Sequence, residues 1–295
     1  MNRLMKRPRA RVLTGLTALL LLIAWPAFAQ SPESPKLPLD DWKEPNWVTA
    51  DTASVTTAGK PYDPTTHTLM TQGGKDCSKQ LHMAMYRQDF LHFEESKAHF
   101  DNCAFKESLA YIDSLINEAR DKIAHIQGTS GGVPAEMLDA MLTLGQALHA
   151  MQDFYAHTNY VELMQKQFPN IADESDIPIM QFWTDKGHKK LLDLAANGLI
   201  SGRFQWSYPH LCSSGVPSHG DLAKDSANTP AGAQPSIFKR RLTGQTLSNY
   251  TIAFNLASRT TSEFLRWVGQ ASPQIEKFCG PTIKYIVQPD RRAAD

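Results

Sequence analysis

From Phe105 onward apolar residues return every three or four positions, at Leu109, Ile112, Ile116, Ala119 and Ile123. That spacing lays a stripe along one face of a helix, and Asn102 just upstream is a suitable N-cap. Residues 78–95 predict an earlier helix. Gly128 to Gly132 breaks the chain, and Pro134 opens a longer helix. Thr184 to Asn197 predicts another that ends at Gly198. A last helix is expected from about Pro235 to Gln270, carrying Ile237, Leu242, Leu247, Ile252, Phe254, Leu256, Phe264 and Leu265. Between them, 203–235 lacks periodicity and predicts a long loop, a length that usually goes with a function or with disorder. No strand alternation stands out. The expected fold class is mostly α, a single helical domain with long loops.

The first 66 residues follow a different pattern. Arg3, Lys6, Arg7, Arg9 and Arg11 precede an apolar run from Val12 to Ala24, and Ala27-Phe28-Ala29 offers a small-x-small cleavage site. These are the parts of a cleavable signal peptide, 1–29, with the cut expected between Ala29 and Gln30. The apolar run falls short of the roughly 20 residues that span a bilayer. Residues 30–66 are crossed by Pro32, Pro35, Pro38, Pro45, Pro61 and Pro64 and predict an extended arm, leaving 67–295 as the helical body.

Export changes the charge and the cysteine chemistry. The leader holds five of the 30 bases and none of the 30 acids, so the mature chain has an excess of five acids. That balance makes nucleic acid an unlikely partner, because its binders are basic. The expected location is periplasmic or secreted. There, Cys77, Cys103, Cys212 and Cys279 predict two disulfides whose pairing the sequence leaves open, Cys77 being one candidate partner for Cys103. No C-x-x-C pair points to a cysteine zinc site.

The most informative segment is LGQALHAMQDFYAHTNYVE at 144–162. Gly145, His149, Asp153 and His157 are spaced four apart, so they form a row along one helix face. Two imidazoles and a carboxylate one turn apart can converge on a cation, and Leu148, Met151, Phe154, Tyr155 and Val161 keep their surroundings apolar. Gly145 leaves room for a close neighbour. The competing reading is a hydrogen-bonded polar stripe. Ligands from elsewhere are expected from His99 and Asp101 in AHFDNCAF, and from His219 and Asp221 in SHGDLAKD. Asp101 competes for a capping role. The other histidines, His67, His82, His92, His125, His188 and His210, read as surface or core residues.

The motif L-G-x-A-L-H-x-x-Q-D-F-x-x-H-x-N-x-V-E, with HFDNCAF at 99–105 and GDLAKD at 220–225, resembles the heterokaryon-incompatibility protein C family. That family is similar in turn to the zinc-dependent phospholipase C and single-strand nuclease superfamily. The resemblance implies an all-α fold of that type, a cluster of two or three zinc ions and hydrolysis of phosphate esters, most simply of phospholipids. It supports His149 and Asp153 as ligands, Asp153 as a bridge between metals, His157 as the start of a second set, and His99 or Asp101 as an acidic arm. Asp101 and Asp153 are the expected catalytic residues, with Lys224 near the developing phosphorane. Phe204, Trp206, Tyr208 and Leu211 can either contact a membrane or pack as a lid. The alternatives are a non-catalytic, metal-stabilised module in cell interaction or incompatibility, and a zinc nuclease.

Overall fold

The computed structural model describes residues 76–126, 132–171, 173–240 and 243–287. The expected signal peptide and Pro-rich arm lie outside the described residues. Those described form a mainly helical domain: α1 (Asp76–Leu91), α2 (Ser96–His99), α3 (Phe105–Ala124), α4 (Ala135–His157), α5 (Tyr160–Gln167), α6 (Asp185–Ala196), α7 (His219–Leu222), strands β1 (Pro235–Lys239) and β2 (Thr246–Ser248), then α8 (Asn249–Ala271) and α9 (Pro273–Val287). No described helix is long and apolar enough to cross a membrane.

The fold is arranged around α4. Nearly every residue from Thr143 to His157 is buried, as expected for a helix apolar on all sides. It packs against α1, α2, α3 and α8. The α1 contact is close: a Cβ at Gly145 would lie 2.6 Å from Ala84 Cβ and 2.8 Å from the Leu81 carbonyl oxygen. The neighbour for which Gly145 leaves room is therefore the α1 backbone. Below the C-terminal half of α4, Phe100, Phe154, Tyr155, Tyr160 and Phe182 form a buried aromatic floor with centroid separations of 5.1–6.3 Å. The Tyr155 hydroxyl accepts from Met180 N and pairs with Thr260 Oγ1.

Several boundaries depart from the sequence reading. The 144–162 segment is two helices, because the chain turns extended at Thr158 before α5 begins. Instead of helix, Pro235–Lys239 and Thr246–Ser248 form two antiparallel strands, pairing Pro235 with Ser248 and Lys239 with Thr246. PSIFK does alternate, burying Ser236 and Phe238 against an exposed opposite face, but five residues were too few to stand out beside the helical periods. Ser248 then caps α8 by accepting from Thr251 N. At α6 the cap is Thr184, and the chain turns at Gly198 with φ +104°. The N-cap of α3 is Ala104, not Asn102.

Two disulfides brace the domain, and among the described residues no cysteine is free. Cys77 pairs with Cys279, joining the start of α1 to α9 across 202 residues; Cys103 pairs with Cys212, not with Cys77. Cysteine spacing carries no pairing information once the partners lie on distant elements. Bridges of this kind fit an oxidising, extracellular compartment.

The α1–α4 contact makes a prediction. Gly145→Val forces the two helices apart and should lower stability by roughly 1–3 kcal/mol, read as a lower melting temperature in thermal unfolding.

Candidate metal centre

Four segments deliver charged side chains to the open side of the aromatic floor. From α4 come His149, Asp153 and His157, one turn apart on its buried face. From α1 comes Asp89, in the row Leu81, Met85, Asp89 that faces α4. The end of α2 and the residues that follow it give His99 and Asp101. They achieve this with three left-handed residues, Phe100 (φ 52°), Asn102 (φ 55°) and Cys103 (φ 59°), so that Phe100 enters the core while His99 and Asp101 face α4. Such conformations are uncommon for residues with a Cβ and concentrate at functional sites. The last segment, at α7, brings His219 and Asp225.

The side chains form two adjoining groups. In the first, His149 Nε2 lies 3.0 Å from Asp153 Oδ2, 3.4 Å from Asp89 Oδ1 and 3.3 Å from His99 Nδ1. His99 Nδ1 is 2.8 Å from the same Asp153 oxygen. In the second, Asp101, His157 and His219 place ligand atoms within 4.8 Å of one another. Asp101 Oδ1 is 2.9 Å from His219 Nδ1, and Asp225 meets His157 Nε2 at 3.2 Å and His219 Nε2 at 3.6 Å. Asp153 lies between them, since its other oxygen, Oδ1, is 4.0 Å from His157 Nε2.

Both groups could hold a metal ion. Donors about 2.0–2.1 Å from one tetrahedral ion stand roughly 3.3 Å apart, and four donor pairs in and beside the first group, at 2.8–3.4 Å, lie near that value. The His99 carbonyl can only accept, so His157 Nδ1 donates to it at 2.9 Å and Nε2 is left to face the carboxylates. A ring held in this way is oriented as metal-binding histidines usually are. His99 Nε2 is buried with no hydrogen-bond partner among the described residues, which a purely hydrogen-bonded stripe does not account for.

Protonation reflects the crowding of carboxylates. Burial works against a charged His149, but Asp153 and Asp89 outweigh it and raise its pKa to about 10. His219 is raised to about 9 by Asp101 and Asp225, against burial and the neighbouring His157. His157 is also raised well above the usual imidazole value, with Asp153 and Asp225 overcoming burial. Burial would push the Asp225 carboxyl up, yet His157 and His219 hold it well below the ordinary carboxylate range. Without metal the histidines therefore carry the cations that four aspartates require.

The family model for the VWA7 N-terminal domain matches residues 75–276, the stretch that contains every residue of this cluster. The chain belongs to the VWA7 N-terminal domain family. That finding corrects the resemblance drawn from the 144–162 motif: the heterokaryon-incompatibility and phospholipase C/nuclease families are not where the chain is placed. A helix carrying His-x3-Asp-x3-His fits many metal-binding scaffolds, so the motif was less specific than its length suggested. No curated protein and no solved structure matches the chain.

In this VWA7 N-terminal domain the structure brings together six of the seven residues expected as ligands: His99, Asp101, His149, Asp153, His157 and His219. Asp221 is not among them. Its carboxylate is turned back onto Ser218 in a capping box at the start of α7. Ser218-His219-Gly220-Asp221 is a capping pattern visible in the sequence, and it would have assigned Asp221 and left Asp225 for the cluster. Lys224 does not reach the centre either. Its buried ammonium donates to the Thr158 carbonyl at 2.6 Å, the Leu222 carbonyl at 3.0 Å and Glu162 Oε1 at 3.3 Å, which uses all three of its donors. It thereby pins the backbone beside Asp225. Asp89 also escaped the sequence reading, although its four-residue register with Leu81 and Met85 marks it as core-facing.

Asn102 and Gly202 hold the second group in place. The Asn102 amide donates to Ser96 Oγ, to the Phe204 and Ser207 carbonyls and to Ser207 Oγ, and its oxygen accepts from Phe204 N. Gly202 N donates to the His157 carbonyl, and a Cβ on Gly202 would come within 2.4 Å of His219 Cα. Asn102 thus ties the Asp101 segment to the loop that leads to His219, and the Cys103–Cys212 bridge ties them again.

Two outcomes are expected. Metal titration at neutral pH should release protons, because His149 and His219 hold theirs up to about pH 10 and 9 without metal and ligand imidazoles must be neutral. Affinity should therefore rise with pH across that interval. Calorimetry in buffers of different ionisation enthalpy measures the release. Asn102→Ala should weaken one of two metal equivalents by about 10–100-fold while sparing the other, the usual range for losing an outer support; competitive chelator titration resolves the two.

Proposed function

We propose that the domain is a binuclear, zinc-dependent hydrolase of phosphate esters. The observation that carries the reading is the position of Asp153, whose two oxygens face the two groups and so suit a carboxylate shared between neighbouring ions. Zinc is favoured because imidazole with carboxylate, and no thiolate, suits it better than magnesium or calcium. Four aspartates also match the charge of two divalent cations once the histidines are neutral. Two such ions supply an activated water and a clamp on phosphate oxygens.

The protein's own groups divide the work by exposure. Asp101 and Asp153 are almost fully buried and fix the geometry, Asp101 by holding His219 and Asp153 by joining the two groups. Asp89, His219 and Asp225 are partly exposed, at 30%, 22% and 21% of their side chains, and form the mouth. A carboxylate there that is not engaged by metal is placed to take a proton from the attacking water. The mature chain's excess of acids speaks against a nucleic-acid substrate.

A second reading, a metal-stabilised but non-catalytic module, draws on one observation. A cavity of about 410 Å³, lined by Ile116, Ala119, Leu144, Trp267, Val268 and Ile275 among others, includes none of the cluster's residues. The two readings separate experimentally.

Purified protein should contain about two zinc equivalents and cleave a soluble phosphodiester such as bis(p-nitrophenyl) phosphate. Chelation should abolish turnover and added zinc restore it. Asp153→Asn should cut kcat by at least about 100-fold, as losses of groups acting on developing charge do, and His149→Ala should lose metal. Bound zinc without turnover on any phosphate ester would favour the structural module, and absence of metal binding would leave neither reading standing.

A further inference from the structure

Of the ten large hydrophobic side chains exposed among the described residues, seven come from two short stretches, 86–93 and 206–211. Both border the metal centre. Phe90 follows Asp89 directly, and Phe204 lies against the His219 ring at 5.2 Å. The stretches are also joined to each other. Tyr208 N donates to the Glu94 carbonyl, Ser96 N donates to the Tyr208 carbonyl, and Phe93 meets Phe204 edge-on at 5.3 Å. The result is one collar beside the mouth of the centre, with Phe90 at 65%, Tyr208 at 62% and Trp206 at 59% exposure.

Exposure here is built in. The loop that carries Trp206 and Tyr208 is held from beneath by the Asn102 side chain and by the Cys103–Cys212 bridge, with both rings exposed. Soluble proteins seldom leave so concentrated an apolar patch without something to cover it. What covers it must also bring a group that the adjoining metal centre can act on. An occupant with a phosphate ester and an apolar body at once is an amphiphile. The mixture of Trp, Tyr, Phe and Leu around the collar is the one that settles at a lipid–water boundary.

We propose that the collar seats the domain on a lipid surface, and that the substrate is an amphiphilic phosphate ester presented there. The substrate class rests on the hydrolase reading above, whereas surface binding does not. Zwitterionic headgroups suit an acidic mature chain better than anionic ones, since only the apolar contact and a local cation are needed.

Flotation of the zinc-loaded full-length mature protein with phosphatidylcholine vesicles tests it. The wild type should float with the vesicles. Phe90→Ser/Trp206→Ser should reduce the partition coefficient by at least about tenfold, given the apolar area withdrawn from lipid. Phe168→Ser, at an exposed aromatic outside the collar, should float as the wild type does, and an unchanged zinc content would show that the double variant is folded. Wild-type protein that stays with the soluble fraction overturns the proposal, as does one that forms dimers through this face and ignores vesicles. Equal flotation of the double variant and the wild type overturns it too. Failure to cleave a soluble phosphodiester would count against the hydrolase reading alone, because flotation requires no turnover.

Discussion

Four aspartates gathered into one partly buried volume repel one another strongly, and cations standing among them offset that repulsion. Here the cations are either protons on His149, His157 and His219 or metal ions held by the same atoms. The rest of the domain is organised to keep these charges at contact distance. Asp153 is the critical member, being 1% exposed and lying between the two groups. Removing its charge would leave imidazoles on either side without the partner that offsets their burial, a situation that usually costs several kcal/mol.

Holding that geometry requires a rigid carrier, and α4 is that carrier. Its burial on nearly all sides fixes the azimuth of His149, Asp153 and His157 together. Gly145 brings α1 close enough for Asp89 Oδ1 to lie 3.4 Å from His149 Nε2. The remaining ligands lie on irregular chain, where positions drift unless fastened. The left-handed turns at Phe100, Asn102 and Cys103, the Asn102 hydrogen bonds, the close pass at Gly202 and the Cys103–Cys212 bridge together replace the regularity that a helix would have supplied.

This division explains what could be read in the sequence. Helical periodicity exposed α3, α4 and α6 because each repeats a pattern over three or more turns, and the four-residue row on α4 showed its ligands for the same reason. His99, Asp101 and His219 were visible only as chemistry-bearing residues in loops. Asp89 was hidden in an ordinary amphipathic register, and Asp225 behind the more conspicuous Asp221. The β1–β2 strand pair was too short to register against the strong helix that follows, and the disulfide pairing depended on contacts that no local pattern encodes. The family was misjudged from three short segments, 144–162, 99–105 and 220–225, where the match of the VWA7 N-terminal domain model spans 75–276.

The direction of access follows from the same arrangement. The ligands that remain partly exposed are Asp89, His219 and Asp225, while His149, Asp153, Asp101, His157 and His99 are closed over by α4 and the aromatic floor. Asp89 continues into Phe90, and His219 lies against Phe204, so the open edge of the centre and the apolar collar are one continuous surface. A molecule approaching the partly exposed ligands from this side would meet that surface. A small hydrophilic ester would gain nothing from the collar and would still meet its desolvated rim. A molecule with an apolar portion would be held there while its polar end lay against the ions, and that extra contact could serve to orient the reacting bond. The collar and the centre therefore impose a joint requirement on the occupant, in which the apolar surface selects the body of the molecule and the aspartate–histidine cluster selects its head.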